Sequence, residues 1–314
     1  MFGIRRFLLT LGVALASIAR ADAASISSFA IYAQANVVVG GNTVVGTTGQ
    51  PVLVGAGTTV VGVGDGTVAG GAGIYGDLRA GDDVTLNNNS FVSGTITNPD
   101  AFTVGSGVTY GAHVTAMPDL PTLPSGTSFS NGVTDQSVGN GATMNLSPGS
   151  YNDISLGGAA TLNLTAGNYY LNNLTAGNGL TLNVALGGGN LNLYLTGSFH
   201  AGGIQAMNLT GGNWQNVYAE AHGTGVTGAA LDNVFQIAGG SGTNWYGTVL
   251  TTNGGIHLGS GSSSGTIQGY LWSARNVDLE HSLDVIGVPV PVPAAVWLMA
   301  SALGLLGWVR SRMA

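Results

Sequence analysis

The sequence predicts an all-β fold, a single elongated β-solenoid in which each turn contributes short parallel strands. Glycine accounts for 54 of the 314 residues, but valine, leucine and isoleucine recur at every second position, which disordered chains lack. A four-residue phrase, Thr-x-Asn-x, begins at Thr143, Thr161 and Thr181, at intervals of 18 and 20 residues. Repeats this short cannot form separate cores, so they bury their apolar positions by stacking.

The predicted solenoid domain covers residues 24–287. Early strands are expected within residues 36–45, 51–63 and 84–96, where valine runs are separated by glycine. Glycine or asparagine is expected at the corners between strands, where the backbone turns. The proline-rich residues 117–124 interrupt the pattern, and we expect an excursion or a helical cap there rather than a linker between two domains.

The N-terminus has the composition of a secretory signal peptide, assigned to residues 1–23. Two arginines precede an apolar stretch, residues 7–18, and residues 21–23 form a small-residue cleavage site. Residues 19–21 form a competing cleavage site, and an uncleaved anchor is the alternative for the whole segment. We therefore expect the body to leave the cytoplasm through the Sec translocon and to be cut by signal peptidase.

A second targeting element is predicted at the C-terminus, residues 288–314. The Val-Pro-Val-Pro sequence at 290–293 cannot continue a helix, because proline lacks an amide donor and restricts the preceding residue. Residues 294–309 are uncharged and form a predicted single transmembrane helix. Such a helix spans about 24 Å, short of the roughly 30 Å hydrocarbon core. The arginines behind it would hold the chain end in the cytoplasm.

This C-terminal layout resembles the VPLPA-type members of the PEP-CTERM sorting signals. The residues that carry the resemblance are Val290, Pro291, Val292, Pro293, Ala294, Ala295, Trp297, Leu298, Arg310 and Arg312. Val292 stands where the family usually has leucine. The resemblance implies an exported protein of a Gram-negative bacterium, transiently anchored in the inner membrane and cut by an exosortase, which supplies its own catalytic residues. A plain tail anchor is the alternative.

The body resembles a second family, the choice-of-anchor A domain. The similar segments are residues 29–37, 76–78, 245–250 and 265–269, and the resemblance extends over about residues 26–285. It implies an exported bacterial β-solenoid that occurs with alternative C-terminal anchoring signals. Residues 146–151, Leu-Ser-Pro-Gly-Ser-Tyr, are also similar to a phrase of the ice-binding β-solenoids.

The charge of the body restricts its partners. It contains thirteen acidic residues, no lysine and only two arginines, Arg79 and Arg275, which gives a net charge of −11. Nucleic acid is not expected as a partner, because binding it requires lysine and arginine to neutralise phosphates. Acidic polysaccharides are disfavoured for the same reason, because the body has few cations to bind them. Since the chain has no cysteine, burial and backbone hydrogen bonds must stabilise the exported fold.

The sequence predicts no catalytic site. The histidines show no metal-ligand spacing; they are His113, His200, His222, His257 and His281. Asp82 and Asp83 follow Arg79 closely, as in solenoid polysaccharide lyases, but a solvated turn is the simpler interpretation. No cofactor is predicted, and calcium is the alternative, because residues 62–66 match one calcium-binding turn in part. Residues 259–264 are interpreted as a flexible loop rather than a nucleophile elbow.

These observations predict a non-catalytic surface or extracellular-matrix protein that acts in adhesion or in organising the polysaccharide of a biofilm. The alternative is a solenoid whose flat rows of threonine and asparagine bind ice or a crystalline polysaccharide. Hydroxyl groups repeated on one face at the spacing of the turns, about 4.7 Å, would favour that alternative. A polysaccharide-active enzyme is a third class, and it requires carboxylates clustered beside Arg79 or Arg275.

Overall fold

The computed structural model describes residues 25–63, 73–259, 264–280 and 282–286. Within them the chain is almost entirely β, with three short 3₁₀ helices at Ile26–Ser28, Trp214–Asn216 and Gly228–Asn233. One face carries eleven strands, one from each turn, so the protein is an all-β β-solenoid of about 11 turns. The predicted fold class is therefore confirmed.

The two predicted targeting segments, residues 1–23 and 288–314, lie outside the described residues, as do all ten residues of the predicted sorting signal. In the part of the chain that is described, no helix is both long enough and apolar enough to span a bilayer.

The strands form two runs along the chain. The first run comprises β1 (Ile31–Ala33), β2 (Val37–Val39), β3 (Val44–Val45), β4 (Val52–Ala56), β5 (Val60–Val63), β6 (Gly73–Ile74), β7 (Gly76–Ala80), β8 (Val84–Leu86), β9 (Phe91–Asn98), β10 (Phe102–Val104) and β11 (Thr109–Thr115). The second run comprises β12 (Gln136–Val138), β13 (Thr143–Leu146), β14 (Gly149–Ser150), β15 (Asp153–Leu156), β16 (Thr161–Thr165), β17 (Gly167–Leu171), β18 (Asn173–Ala176), β19 (Leu180–Ala185), β20 (Leu191–Leu195), β21 (Phe199–Ala201), β22 (Ile204–Thr210), β23 (Val217–Ala221), β24 (Phe235–Ile237), β25 (Trp245–Tyr246), β26 (Thr248–Thr251), β27 (Ile256–Leu258), β28 (Gly265–Gln268), β29 (Leu271–Ser273), β30 (Val277–Leu279) and β31 (Leu283–Ile286).

Successive strands belong in rotation to three faces of parallel strands. Face A has the order β14-β17-β20-β23-β26-β29-β1-β4-β7, followed by the later parts of β9 and β11. Face B has the order β12-β15-β18-β21-β24-β27-β30-β2-β5-β8-β10. Face C begins with β13-β16-β19-β22 and continues, beyond a single bridge between Ile204 and Thr243, with β25-β28-β31-β3-β6 and the first part of β9.

The two runs are joined at a seam in the middle of the solenoid. Ile31 in β1 pairs with Leu271 in β29 on one side and with Val54 in β4 on the other. In the same way β2 pairs with β30, and β3 with β31. The chain therefore begins its strands at the centre, builds outward to β11 at one end, and starts again with β12 at the opposite end.

Residues 116–135, the return segment, connect these two ends along face A. Near one end, Arg79 Nη1 donates to the carbonyl oxygen of Asp119 at 3.0 Å, and near the other, the Gly132 N–H donates to Tyr151 O at 2.9 Å. About 13 residue steps of about 3.3 Å cover about 43 Å, enough for eight strand spacings of about 4.8 Å. The segment is thus an extended crossing of the solenoid.

Proline and leucine explain why the return segment is extended and attached. Its prolines fix φ and remove amide donors, so the segment neither coils nor pairs as a regular strand. Leu120 and Leu123 pack on the cluster formed by Phe29, Tyr32 and Leu53 on the outside of face A. The excursion expected at residues 117–124 is therefore present, and the alternative of a helical cap is wrong.

The main core lies inside the three faces and consists of the alternate, inward-facing residues. Met144, Leu162, Leu182 and Met207 form one such stack on face C, each buried beside its equivalent in the next turn. On face B the core includes aromatic rings, and Phe199 and Phe235 of two neighbouring turns stack with their centroids 4.6 Å apart. Burying each such side chain contributes about 1.5–3 kcal/mol.

Neighbouring turns approach closely at Gly76. Its φ is +138°, and a Cβ atom there would meet the carbonyl oxygen of Val52 in the next turn. We expect Gly76→Ala to lower the free energy of unfolding by about 2 kcal/mol, because both the backbone strain and the steric clash oppose the native turn. Urea unfolding followed by circular dichroism measures the change.

The matched control is Gly139→Ala. Nothing lies within 4 Å of the position its Cβ would take. This variant should be neutral, or should gain up to about 1 kcal/mol by restricting the unfolded chain. Equal losses in the two variants would contradict the packing described for Gly76.

Candidate functional site

The strongest candidate site is a regular polar surface on face C, the ladder surface. It consists of two outward rows on β13, β16, β19 and β22: Asn145, Asn163, Asn183 and Asn208 in one row, and Thr143, Thr161 and Thr181 in the other. The repeated Thr-x-Asn phrase places these residues in register because each repeat fills one turn. The sequence repeat therefore becomes a repeat in space.

The asparagine row is a continuous hydrogen-bond ladder. Asn163 Nδ2 donates to Asn145 Oδ1 at 2.7 Å, Asn183 donates to Asn163 at 2.8 Å, and Asn208 donates to Asn183 at 2.8 Å. Neighbouring amides in such a chain polarise one another. Each inner amide uses one N–H and one lone pair in the ladder, and since an amide has two of each, donors and acceptors remain for a ligand.

The threonine row has the spacing expected between turns. Thr143 pairs with Thr161, and Thr161 pairs with Thr181, on strands about 4.8 Å apart. In the next turn the equivalent position is Ala206, beside a register shift at the start of β19 and β22. The repeated hydroxyl row anticipated from the sequence is thus present over three turns.

A shallow open groove runs beside the ladder. Its volume is about 350 Å³, and besides the ladder asparagines it is lined by Leu146, Ser147, Thr165, Ala185 and Thr210. Its walls combine apolar carbon with hydroxyl and amide groups, so it can accept a ligand that has both C–H surfaces and hydroxyl groups.

A buried carboxylate, for which the sequence offers no motif, lies beneath the return segment. The Glu220 side chain is 1% exposed. Its Oε1 accepts from the Thr127 N–H at 2.5 Å and lies 2.6 Å from His222 Nε2, while Oε2 accepts from the Thr127 hydroxyl at 3.0 Å and the Tyr218 hydroxyl at 2.8 Å. These partners compensate the burial of the charge. Burial, and then the Glu220 charge, raise the pKa of Tyr218.

Three of the histidines lie apart from one another, each with its own contacts, and His113 Nε2 also lies 2.8 Å from Asn98 Oδ1. His113 stacks on Phe102 with ring centroids 4.2 Å apart, His200 Nε2 lies 2.6 Å from the Asn233 carbonyl oxygen, and His222 contacts Glu220. His281 lies outside the described residues.

His257 is different, because the fold brings it to two carboxylates. It pairs in register with Asp278 on face B, with Nδ1 3.3 Å from Asp278 Oδ2 and Nε2 3.4 Å from Glu280 Oε1. Hydrogen bonding to Asp278, together with the charges of both carboxylates, raises the pKa of the His257 imidazole, although burial opposes this shift. The linear spacing of the residues gave no signal of the cluster, because its members come from neighbouring turns.

Both arginines of the body make contacts within the fold. Arg79 donates to the Asp119 carbonyl oxygen and lies over the Phe29 ring at 5.9 Å, while Arg275 Nε forms a 3.1 Å ion pair with Asp232. Asp83 Oδ1 accepts from the Ala101 N–H at 2.9 Å, as expected of a turn.

The other segments considered as sites lie largely beyond the described chain. Residues 64–66 of the partial calcium motif, and residues 260–263 of the serine-glycine loop, are outside the described residues.

Comparison with known proteins adds little to this geometry. No protein-family model matches the chain, and no curated protein matches it. Among solved structures, an ice-binding protein from an Antarctic bacterium, Flavobacteriaceae, aligns with 83% of this chain and 97% of its own. The two are 12% identical with a TM-score of 0.24, which is too low to carry an argument about function. The fold and the ladder surface define the class, an all-β solenoid with a regular polar face.

The ladder predicts unequal effects of removing an inner and an end asparagine. Asn163→Ala removes two amide hydrogen bonds and Asn145→Ala removes one. We expect the inner variant to lose about 1–2 kcal/mol of unfolding free energy and the end variant about half as much. Urea denaturation of both variants measures the difference. A larger loss for Asn145→Ala would show that the ladder does not stabilise the turns.

The Glu220 contacts predict that this carboxylate holds the return segment on face A. Glu220→Gln places an amide against donors that need a carboxylate, so we expect a loss of about 1–3 kcal/mol and faster hydrogen exchange in residues 116–135. Asp284→Asn, at an exposed carboxylate on face C, removes the same charge and should leave that exchange unchanged. Unchanged exchange in both variants would contradict the proposed role.

Proposed function

We propose that this protein is an exported, non-catalytic surface or extracellular-matrix protein that binds a neutral polysaccharide through its ladder surface. The observation that carries the proposal is the regular polar repeat on face C, in which asparagine side chains over four turns and threonine side chains over three lie in register. A polymer of repeating hydroxyl groups can meet such a surface at several turns simultaneously.

Rigidity and charge support this choice of ligand. The ladder hydrogen bonds hold the asparagine side chains in place before a ligand arrives, which lowers the entropy lost on binding. The body has a net charge of −11 and only two arginines, and both are engaged within the fold. Electrostatic repulsion therefore disfavours an anionic polymer, whereas a neutral one meets no such repulsion.

Adsorption to an insoluble neutral polysaccharide such as cellulose tests the proposal. The double variant Thr161→Tyr/Thr181→Tyr places two bulky rings on the threonine row, and we expect it to weaken binding about tenfold by holding the polymer off the surface. Thr175→Tyr is the control, because Thr175 is an exposed threonine in β18 on face B. Equal binding of both variants, or no binding by the unmodified protein to any neutral polysaccharide, would refute the proposal.

Ice binding is a second candidate, favoured by the equally spaced hydroxyl groups of the threonine row. Inhibition of ice recrystallisation by the unmodified protein, lost in the double variant and kept in Thr175→Tyr, would support it. The two functions are distinguished because the polysaccharide proposal requires adsorption at temperatures where no ice is present.

Export to the cell surface forms part of the same proposal. The signal-peptide composition of residues 1–23 and the VPLPA-like layout of residues 288–314 support export, transient membrane anchoring and exosortase processing. In the producing cells we expect intact mass to show loss of both ends. Replacing Pro291 and Pro293 by alanine should leave the C-terminal segment attached, and normal processing of that variant would count against the sorting route.

A further inference from the structure

We propose that face B carries a binding site for a divalent transition-metal ion, formed by His257, Asp278 and Glu280. His257 lies in β27 and Asp278 in β30 of the next turn, while Glu280 directly follows β30. Neither the sequence motifs nor the proposed polysaccharide surface involves these residues. The site lies on a different face from the ladder surface, so it does not depend on the proposed function.

The distances suit a metal ion. One ligand atom from each of the three residues lies within 4.8 Å of the other two. The 3.4 Å between His257 Nε2 and Glu280 Oε1 is close to the separation of about 3.3 Å between two ligands of a tetrahedral ion with bonds of about 2.0–2.1 Å. It is also longer than the usual charge-assisted hydrogen bond of about 2.7–2.9 Å. The pair is therefore spaced more like two ligands of one ion than like a direct hydrogen bond.

The exposure of the side chains allows the set to close around an ion. His257 is 14% exposed and held by its turn, while the side chains of Asp278 and Glu280 are 37% and 34% exposed. Because one imidazole nitrogen binds one ion, an ion held at Nε2 beside Glu280 requires the Asp278 carboxylate, which contacts Nδ1, to rotate toward it. The partial exposure of both carboxylates leaves room for this rotation, and water can complete the coordination. The neighbours of the site in the outward row of face B are uncharged. On its other side His257 pairs with Gln236, and Asp278 pairs with Val38.

The donor atoms indicate the class of ion. One imidazole and two carboxylates suit Zn²⁺ and similar transition metals, whereas Ca²⁺ and Mg²⁺ prefer sets made only of oxygen. Two adjacent carboxylates also repel each other, and a divalent cation between them removes that repulsion. The proposed site therefore differs in residues and in ion from the calcium turn considered at residues 62–66.

The position of the site gives metal binding a structural effect. The last turn of the second run, which contains β30, contacts the first run at the seam. The Thr43 hydroxyl donates to the Glu280 carbonyl oxygen at 2.5 Å, and the Gly40 N–H donates to the Leu279 carbonyl oxygen at 2.5 Å. An ion held by His257 and Glu280 would fasten β27 to the strand end that makes these seam contacts, so we expect it to stabilise the junction of the two runs.

Zinc titration of the full chain at about pH 8 tests the proposal, since metal ligands bind in their deprotonated forms. Isothermal titration calorimetry should show saturable binding of about one Zn²⁺ per chain, and thermal denaturation should shift upward with Zn²⁺ concentration. His257→Gln and Glu280→Gln should each weaken binding at least tenfold. The half-exposed position of Glu280 at a strand end keeps its variant informative if His257→Gln folds poorly.

His200→Gln is the matched control, because His200 occupies the same outward row of face B two turns away and contacts a backbone carbonyl oxygen. It should bind Zn²⁺ as the unmodified protein does. Absence of saturable Zn²⁺ binding, equal binding by the His257 and His200 variants, or stabilisation by Ca²⁺ but not by Zn²⁺ would overturn the proposal.

Discussion

Parallel backbone pairing across the seam is the interaction on which the rest of the solenoid depends. The pairing of β1 with β29, β2 with β30 and β3 with β31 joins two runs of turns that would otherwise end in open strand edges. Because the pairing occurs on all three faces, the apolar stacks of both runs become one core. A chain without lysine or disulfides thus stabilises itself by burial and by backbone hydrogen bonds repeated at every turn.

The seam also explains the return segment. Since the first and last turns of the chain meet in the middle, the link between the two runs must travel from one end of the solenoid to the other. Its prolines keep it extended, and its leucines cover apolar side chains on the outside of face A. The same crossing buries Glu220, whose charge is tolerated because Thr127 in the segment donates both its N–H and its hydroxyl to the carboxylate.

One geometric rule, stacking in register, creates both candidate sites. On face C it converts identical repeats into rows of asparagine and threonine, a regular surface suited to a regular ligand. On face B it places unlike residues of neighbouring turns side by side, and His257 thereby meets Asp278. The first site is extended and repetitive, whereas the second is local and confined to the last turns beside the seam.

The all-β class, and the repeat of 18 to 20 residues that builds the ladder surface, could be predicted from the sequence, because alternating apolar residues and the spacing of Thr143, Thr161 and Thr181 are local properties of the chain. Other turns are longer, such as the 36 residues between the paired Phe199 and Phe235, and they carry no such phrase. The sequence did not determine the order of the runs, since any parallel turn can stack on any other with the same alternation. The burial of Glu220 and the meeting of His257 with Asp278 and Glu280 follow from that stacking. These contacts could not be predicted from the chain, because contacts between turns depend on register and on the path of the return segment, and neither leaves a periodic signal in the sequence.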